Sequence, residues 1–144
     1  MSTRRPCHSA PQSAPAPGDP VAAACHLFDR AVACHEQGRL ARAIRLARQA
    51  LRLLSAAEGP DHPDVANVLN TLGQALADRG DFARAERVLR RAVRILGRTS
   101  GDVLAVRIRV QGLSRLANLY RAQGQYRRAA PLYRRALALA IREL

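Results

Sequence analysis

Three Cys-His pairs, Cys7-His8, Cys25-His26 and Cys34-His35, are the residues of this chain best equipped for chemistry. A thiolate beside an imidazole is a zinc-ligand combination, and several such pairs together could close a tetrahedral site. The spacing argues against it. Zinc ligands converge on one point at about 2 Å, and a helix brings together only residues three or four apart. Cys25 and Cys34 are nine apart, nearly opposite on a helix wheel, and Cys7 belongs to a Pro/Ser/Ala-rich segment. Cys34 falls at a packing position, where a cysteine acts as a small hydrophobe. No metal and no cofactor is expected. With no export signal, the odd count of three cysteines reads as free thiols in a reducing, cytoplasmic setting.

Two further motifs reduce to structure. Arg79-Gly80-Asp81 spells a cell-adhesion tripeptide, but its glycine suits a turn and its aspartate a helix cap. His62-Pro63 suits the start of a helix. No glycine-rich phosphate loop, paired carboxylates or nucleophile–His–acid set can be assembled, so the chain is not expected to be an enzyme. What stands out is charge. The 144 residues carry 24 basic against 11 acidic side chains, a formal +13, and every basic residue is arginine. Such an excess raises the question of a nucleic-acid or other polyanionic partner. A GC-rich genome, which writes Arg, Ala, Gly and Pro freely, is the competing explanation, and the pattern of the arginines has to decide.

That pattern depends on the elements that carry it. Composition is 48% hydrophobic but only 3% aromatic, and the Ala, Leu and Val that make up the rest favour helices. The longest uncharged helical stretch, Val65 to Ala77, is too short to cross a membrane. Residues 1–18, "MSTRRPCHSAPQSAPAPG", read as a disordered tail. Order is expected to begin at Asp19-Pro20, an N-cap followed by a proline in the first turn.

The remainder repeats itself. "EQGRLARAIRLARQALRLL" from Glu36, "DRGDFARAERVLRRAVRIL" from Asp78 and "AQGQYRRAAPLYRRALALA" from Ala122 each carry a glycine in third place. Alanines follow at Ala43 and Ala50, Ala85 and Ala92, Ala129 and Ala136. Gly38, Gly80 and Gly124 are 42 and 44 residues apart, a repeat of about 42. A helical pattern precedes each of the last two glycines, for example Val65, Val68, Leu69, Leu72 and Leu76. Each unit is therefore helix, glycine turn, helix, over about 20–56, 63–98 and 102–144.

On a wheel of about 100° per residue, Val88, Leu89, Ala92, Val93, Ile95 and Leu96 share one side. Arg84, Arg87, Arg90, Arg91, Arg94 and Arg98 take the other. Arg42, Arg45, Arg48 and Arg52 do the same in the first unit, and Arg127, Arg128, Arg134, Arg135 and Arg142 in the third. The arginines answer to amphipathicity: they are a solvated face. No aromatic is interleaved with the middle stripe to stack on bases.

Units of this kind resemble the tetratricopeptide repeat (TPR). Leu69, Leu72, Gly73, Leu76, Gly80, Ala85, Leu89 and Ala92 occupy the signature columns of the middle unit. Leu113, Leu116, Ala117, Tyr120, Gly124, Ala129, Tyr133 and Ala136 do so in the third. In the first, Leu27, Ala31, Gly38, Ala43 and Ala50 fit, with Arg30 in a usually apolar column. The period, longer than the usual 34 residues, and "GPDHPDVANVLNTLG" look like the 42-residue variant of kinesin light chains and many bacterial multidomain signalling proteins.

The resemblance implies an all-α solenoid of three repeats, six to seven helices in a right-handed superhelix, spanning residues 19–144 as one domain. It implies a scaffold or adaptor that binds a protein or peptide partner in a concave groove lined by the first helix of each unit. Carried over by position, the groove residues are Asn67, Asn70 and Gln74, then Gln111, Ser114, Asn118 and Arg121. Thr71 stands where the family's "LNNLA" has its second Asn. The alternative is a polyanion partner on the convex back, through Arg84, Arg87, Arg91, Arg94, Arg128 and Arg135. Because "ALALAIREL" carries a wide apolar arc, Leu132 and Leu139 are expected to be exposed and to form a C-terminal interface, through self-association or a partner chain.

Overall fold

The structure is a computed structural model that describes residues 18–98 and 102–144. These hold six α-helices: α1 (Pro20–Glu36), α2 (Leu40–Glu58), α3 (Pro63–Asp78), α4 (Phe82–Leu96), α5 (Val103–Ala122) and α6 (Tyr126–Glu143). The tail expected over 1–18 lies outside the described residues apart from Gly18.

Local chemistry sets the boundaries. Asp19 Oδ1 accepts from the backbone N–H of Val21 at 3.0 Å and of Ala22 at 3.2 Å, with Pro20 filling a first-turn position that needs no N–H. His62 caps α3 in the same way, its Nδ1 accepting from Asp64 N–H at 3.1 Å ahead of Pro63. Asp102 caps α5 through Leu104 N–H at 2.9 Å. Asp81 caps α4, accepting from Arg84 N–H at 3.4 Å.

Each hairpin turn is the same closure used three times. Gly38, Gly80 and Gly124 have φ of 75°, 91° and 74°, the left-handed region where a Cβ is penalised. The next N–H then reaches back to the last full turn: Arg39 to Cys34 O, Asp81 to Leu76 O and Gln125 to Tyr120 O, at 2.8–2.9 Å. This is the Schellman arrangement. The repeat seen in the sequence is thus a repeat of backbone geometry.

The helices pair as hairpins, α1 with α2, α3 with α4 and α5 with α6, and successive hairpins stack through α2–α3 and α4–α5. The first helices also touch one another, α1 with α3 and α3 with α5. Helix α3 packs against α1, α2, α4 and α5, and residues 65–73 are buried without interruption. At the α3–α4 crossing, a Cβ on Gly73 would lie 2.5 Å from Leu89 Cγ, so glycine allows the close approach. The main core includes Leu54, Leu69, Leu76, Leu89 and Leu96, each worth roughly 1.5–3 kcal/mol on burial. A smaller cluster of Val106, Leu113, Ala136 and Leu139 closes the last hairpin.

Candidate binding groove

The inner faces of α1, α3 and α5 line one open cavity of about 410 Å³. Helix α1 contributes Phe28, Asp29, Val32, His35 and Glu36; α3 contributes Asn67, Thr71 and Gln74; α5 contributes Gln111 and Arg115. Spacings of three and four residues put each set on a single helix face.

Most polar groups at one end are already engaged. His35 Nε2 lies 2.6 Å from Asp78 Oδ2, joining α1 to the end of α3. Gln74 Nε2 donates to Asp78 Oδ1 at 2.8 Å. Arg115 makes no hydrogen bond or ion pair among the described residues. Burial pushes its guanidinium pKa down, and the Asp78 carboxylate opposes that shift. A partly desolvated cation without a contact partner gains from meeting an acceptor in the cavity.

Of the seven residues expected in the groove, Asn67, Gln74 and Gln111 meet there. Asn70 does not. It is fully buried between α3 and α5, where its Nδ2 donates to the Ile108 carbonyl at 3.0 Å. Its Oδ1 has no partner among the described residues, and a Cβ on Gly112 would lie 2.9 Å from it. Asn70 is a stitch between repeats and not a ligand contact. Asn118 accepts a hydrogen bond from the Tyr133 hydroxyl within the last hairpin. Ser114, Asn118 and Arg121 lie on α5 but outside the cavity lining. Sequence reading missed Arg115, Thr71 and His35. Arg115 follows Gln111 by four residues on the same face, a spacing that points to it, whereas His35, beside Cys34, carries only the signal of a Cys-His pair.

On the opposite side, Arg84, Arg87, Arg94, Arg128 and Arg135 are exposed and Arg91 is half-buried. Arg84 pairs with Asp81 at 3.5 Å, and Arg128 with Glu86 at 3.3 Å. Arg91 donates to the Pro60 carbonyl at 3.0 Å. Arg90 is held by Tyr120 Oη and Glu86 Oε1, each 3.2 Å away, which raises its pKa further. The stripe lies on the outer helices and takes no part in the groove.

Tetratricopeptide-repeat family models match residues 22–98 and 113–144. The chain belongs to the tetratricopeptide repeat family. Repeats of this family generally mediate protein–protein interaction. Among solved structures, the crystal structure of BtubC (BKLC) from P. vanneervenii shares the fold, with a TM-score of 0.75 and 24% identity. The match covers 83% of this chain and 47% of that one, so the chain spans about half the length of this TPR neighbour. No curated protein matches the chain.

Two expectations about the TPR units need correction. Leu139 is buried and Leu132 half-buried; the exposed apolar residues near this end are Leu137, Ile141 and Leu144. The apolar arc of α6 has two sides. Leu132 and Leu139 occupy the side that packs on its own hairpin and on Val93 of the preceding unit. The other side carries Leu137, the equivalent of Val93 one repeat later (44 residues on), and is the side a following unit would meet, as Val93 meets α5 and α6. Nor are all three cysteines free. Cys25 is disulfide-bonded, while Cys34 is a buried thiol. Cys7 lies outside the described residues. Among the described residues, no group of three or more His, Cys, Asp or Glu could hold a metal ion. No described helix is long and apolar enough to cross a membrane.

Proposed function

We propose that the chain is a non-catalytic interaction module that takes a peptide or partner helix across the inner faces of α1, α3 and α5. The observation that carries this reading is Arg115, a partly buried guanidinium with no hydrogen-bond or ion-pair partner among the described residues, set in a cavity bordered by the amides of Asn67, Gln74 and Gln111. Amides of this kind suit an extended backbone, since each offers a donor and an acceptor. The guanidinium suits a carboxylate.

Peptides selected on the wild-type protein by phage display provide the test. Gln74→Ala with Gln111→Ala removes two amides at partly exposed positions and leaves the helices intact. Selected peptides should bind the double variant about 5- to 150-fold more weakly, corresponding to roughly 1–3 kcal/mol. Equal binding to both proteins would move the site away from this groove.

A polyanion reading of the outer face draws on a different observation. Arg87, Arg94 and Arg135 are exposed and make no hydrogen bond or ion pair among the described residues, so three cations are available to phosphates.

A further inference from the structure

Because the hairpins repeat, the notch between successive outer helices also repeats, and its two copies differ. Between α2 and α4 it is lined by Arg48, Leu72, Leu76, Arg84, Arg87 and Val88, and encloses 150 Å³. Moving each residue on by one unit gives Arg90, Leu116, Tyr120, Arg128, Pro131 and Leu132. All six line the notch between α4 and α6, which encloses about 400 Å³ and also takes in Val93 and Arg135. Pro131 replaces Arg87, exchanging a long side chain for a compact ring, and the notch is more than twice as large. Its volume falls in the range of ordinary ligand sites.

The enlarged notch has an apolar floor and a cationic rim. Val93, Leu116, Pro131 and Leu132 form the floor. At one end Tyr120 Oη donates to Glu86 Oε1 at 2.9 Å and accepts from Arg90 Nε and Arg128 Nη2, both at 3.2 Å. The Arg128 guanidinium also lies over the Tyr120 ring, 4.3 Å from its centroid. Two guanidinium groups are thereby held in place before any ligand arrives. Arg135 is exposed at the rim with no ion-pair partner among the described residues. Three cations against the single carboxylate of Glu86 leave the rim positive.

We propose that this notch is a second docking site, separate from the groove, for a partner segment that places one large apolar side chain on the floor with carboxylates on either side to meet Arg90, Arg128 and Arg135. Charge complementarity selects the acidic flanks, and the aliphatic floor selects the anchor. A nucleic acid fits less well. The floor carries no open aromatic face, because Arg128 already covers Tyr120, so a base has nothing to stack on.

The experiment uses fluorescein-labelled pentapeptides and anisotropy on the full chain. The probe is Asp-Glu-Phe-Glu-Asp; the controls are Asp-Glu-Ser-Glu-Asp and Asn-Gln-Phe-Gln-Asn. The probe should bind at least tenfold more tightly than either control, and Arg135→Gln should weaken it several-fold. Pro131→Arg is the decisive variant. It restores the residue of the preceding unit and the missing helical N–H, so the protein should melt higher. It also closes the notch while adding a positive charge. Loss of probe binding in this more stable variant is the expected result. Unchanged or tighter binding would mean that charge alone attracts the probe and overturns the proposal. So would tighter binding of a single-stranded oligonucleotide than of the probe. If the probe is lost instead on Gln111→Ala, it sits in the groove and the notch is not its site.

Discussion

Gly73→Ala should change the sign of its effect when Leu89 is shortened. A methyl at Gly73 would sit 2.5 Å from Leu89 Cγ and 2.6 Å from Cδ2. Leu89 is 1% exposed, and Cγ is a branch point, so it cannot swing clear as the tip of a flexible chain would. Overpacking of this kind costs about 1–3 kcal/mol, against roughly 1 kcal/mol gained by replacing a helical glycine with alanine. The net effect in the wild type is a loss of about 0–2 kcal/mol. Leu89→Ala alone removes the obstructing atoms and costs about 2–5 kcal/mol through the cavity it leaves. In that background the methyl enters the vacated space. The propensity gain then adds to roughly 0.8 kcal/mol of renewed burial, and Gly73→Ala should stabilise by about 1–2 kcal/mol. Urea titrations of the four proteins, followed by circular dichroism, close the cycle. If Gly73→Ala shifts stability in the same direction in both backgrounds, within about 0.5 kcal/mol, the α3–α4 contact does not set this glycine.

Asn70→Ala should lower stability by about 1 kcal/mol in urea titration while leaving groove-bound peptides untouched, because the side chain joins α3 to the Ile108 carbonyl and does not face the cavity. If the chain self-associates, Leu137→Glu with Ile141→Glu should make it monomeric by light scattering, since these residues are 63% and 76% exposed. Leu132→Glu with Leu139→Glu should unfold it instead, seen as lost helicity, because Leu139 is buried. Under the polyanion reading, Arg87→Gln, Arg91→Gln and Arg94→Gln together should flatten the log-log salt dependence of DNA binding by up to about three units. A wild-type protein not retained on DNA at low salt would remove that reading.

The repeating backbone was legible because one constraint produced it three times. A glycine at a left-handed turn, followed by alanines at the tightest crossings, leaves a mark that no other residue can supply, and Gly38, Gly80 and Gly124 all turned the chain as expected. The wheel also separated arginine from core correctly. It failed where the side of an arc mattered. Periodicity gives the width of a helix's apolar face and not the direction of its neighbour. Leu132 and Leu139 therefore read as surplus, when the uncovered side is that of Leu137 and Ile141. Asn70 failed for a related reason. It lies only about 60° round the helix from Asn67, but that rotation carries it from the cavity into the α3–α5 interface. His35 and Arg115 were hidden because the groove gathers single residues from three helices, and no spacing within one helix reveals them.

The two notches show where a repeat protein of this kind is free to differ from one unit to the next. Positions that carry the turn or the tight crossing admit little change: Gly80 and Gly124 both turn with a positive φ, and Ala85 and Ala129 are both buried. Positions on the rim can vary while the hairpin is kept, as Arg87 and Pro131 do, even though Pro131 leaves α6 without one backbone N–H. The ion pairs there are not what holds the fold, because exposed pairs such as Arg90–Glu86 are worth about 0–1 kcal/mol. Their effect is to fix geometry. Glu86 and Tyr120 draw Arg90 of one unit and Arg128 of the next to a common point, so two long side chains that would otherwise sample many rotamers face the notch together. Ordering them in the free protein lowers the entropy lost when a ligand arrives. Arg84 and Arg91 are also held, singly, by Asp81 and the Pro60 carbonyl, whereas at the α4–α6 notch one carboxylate and one hydroxyl hold guanidinium groups from two successive units.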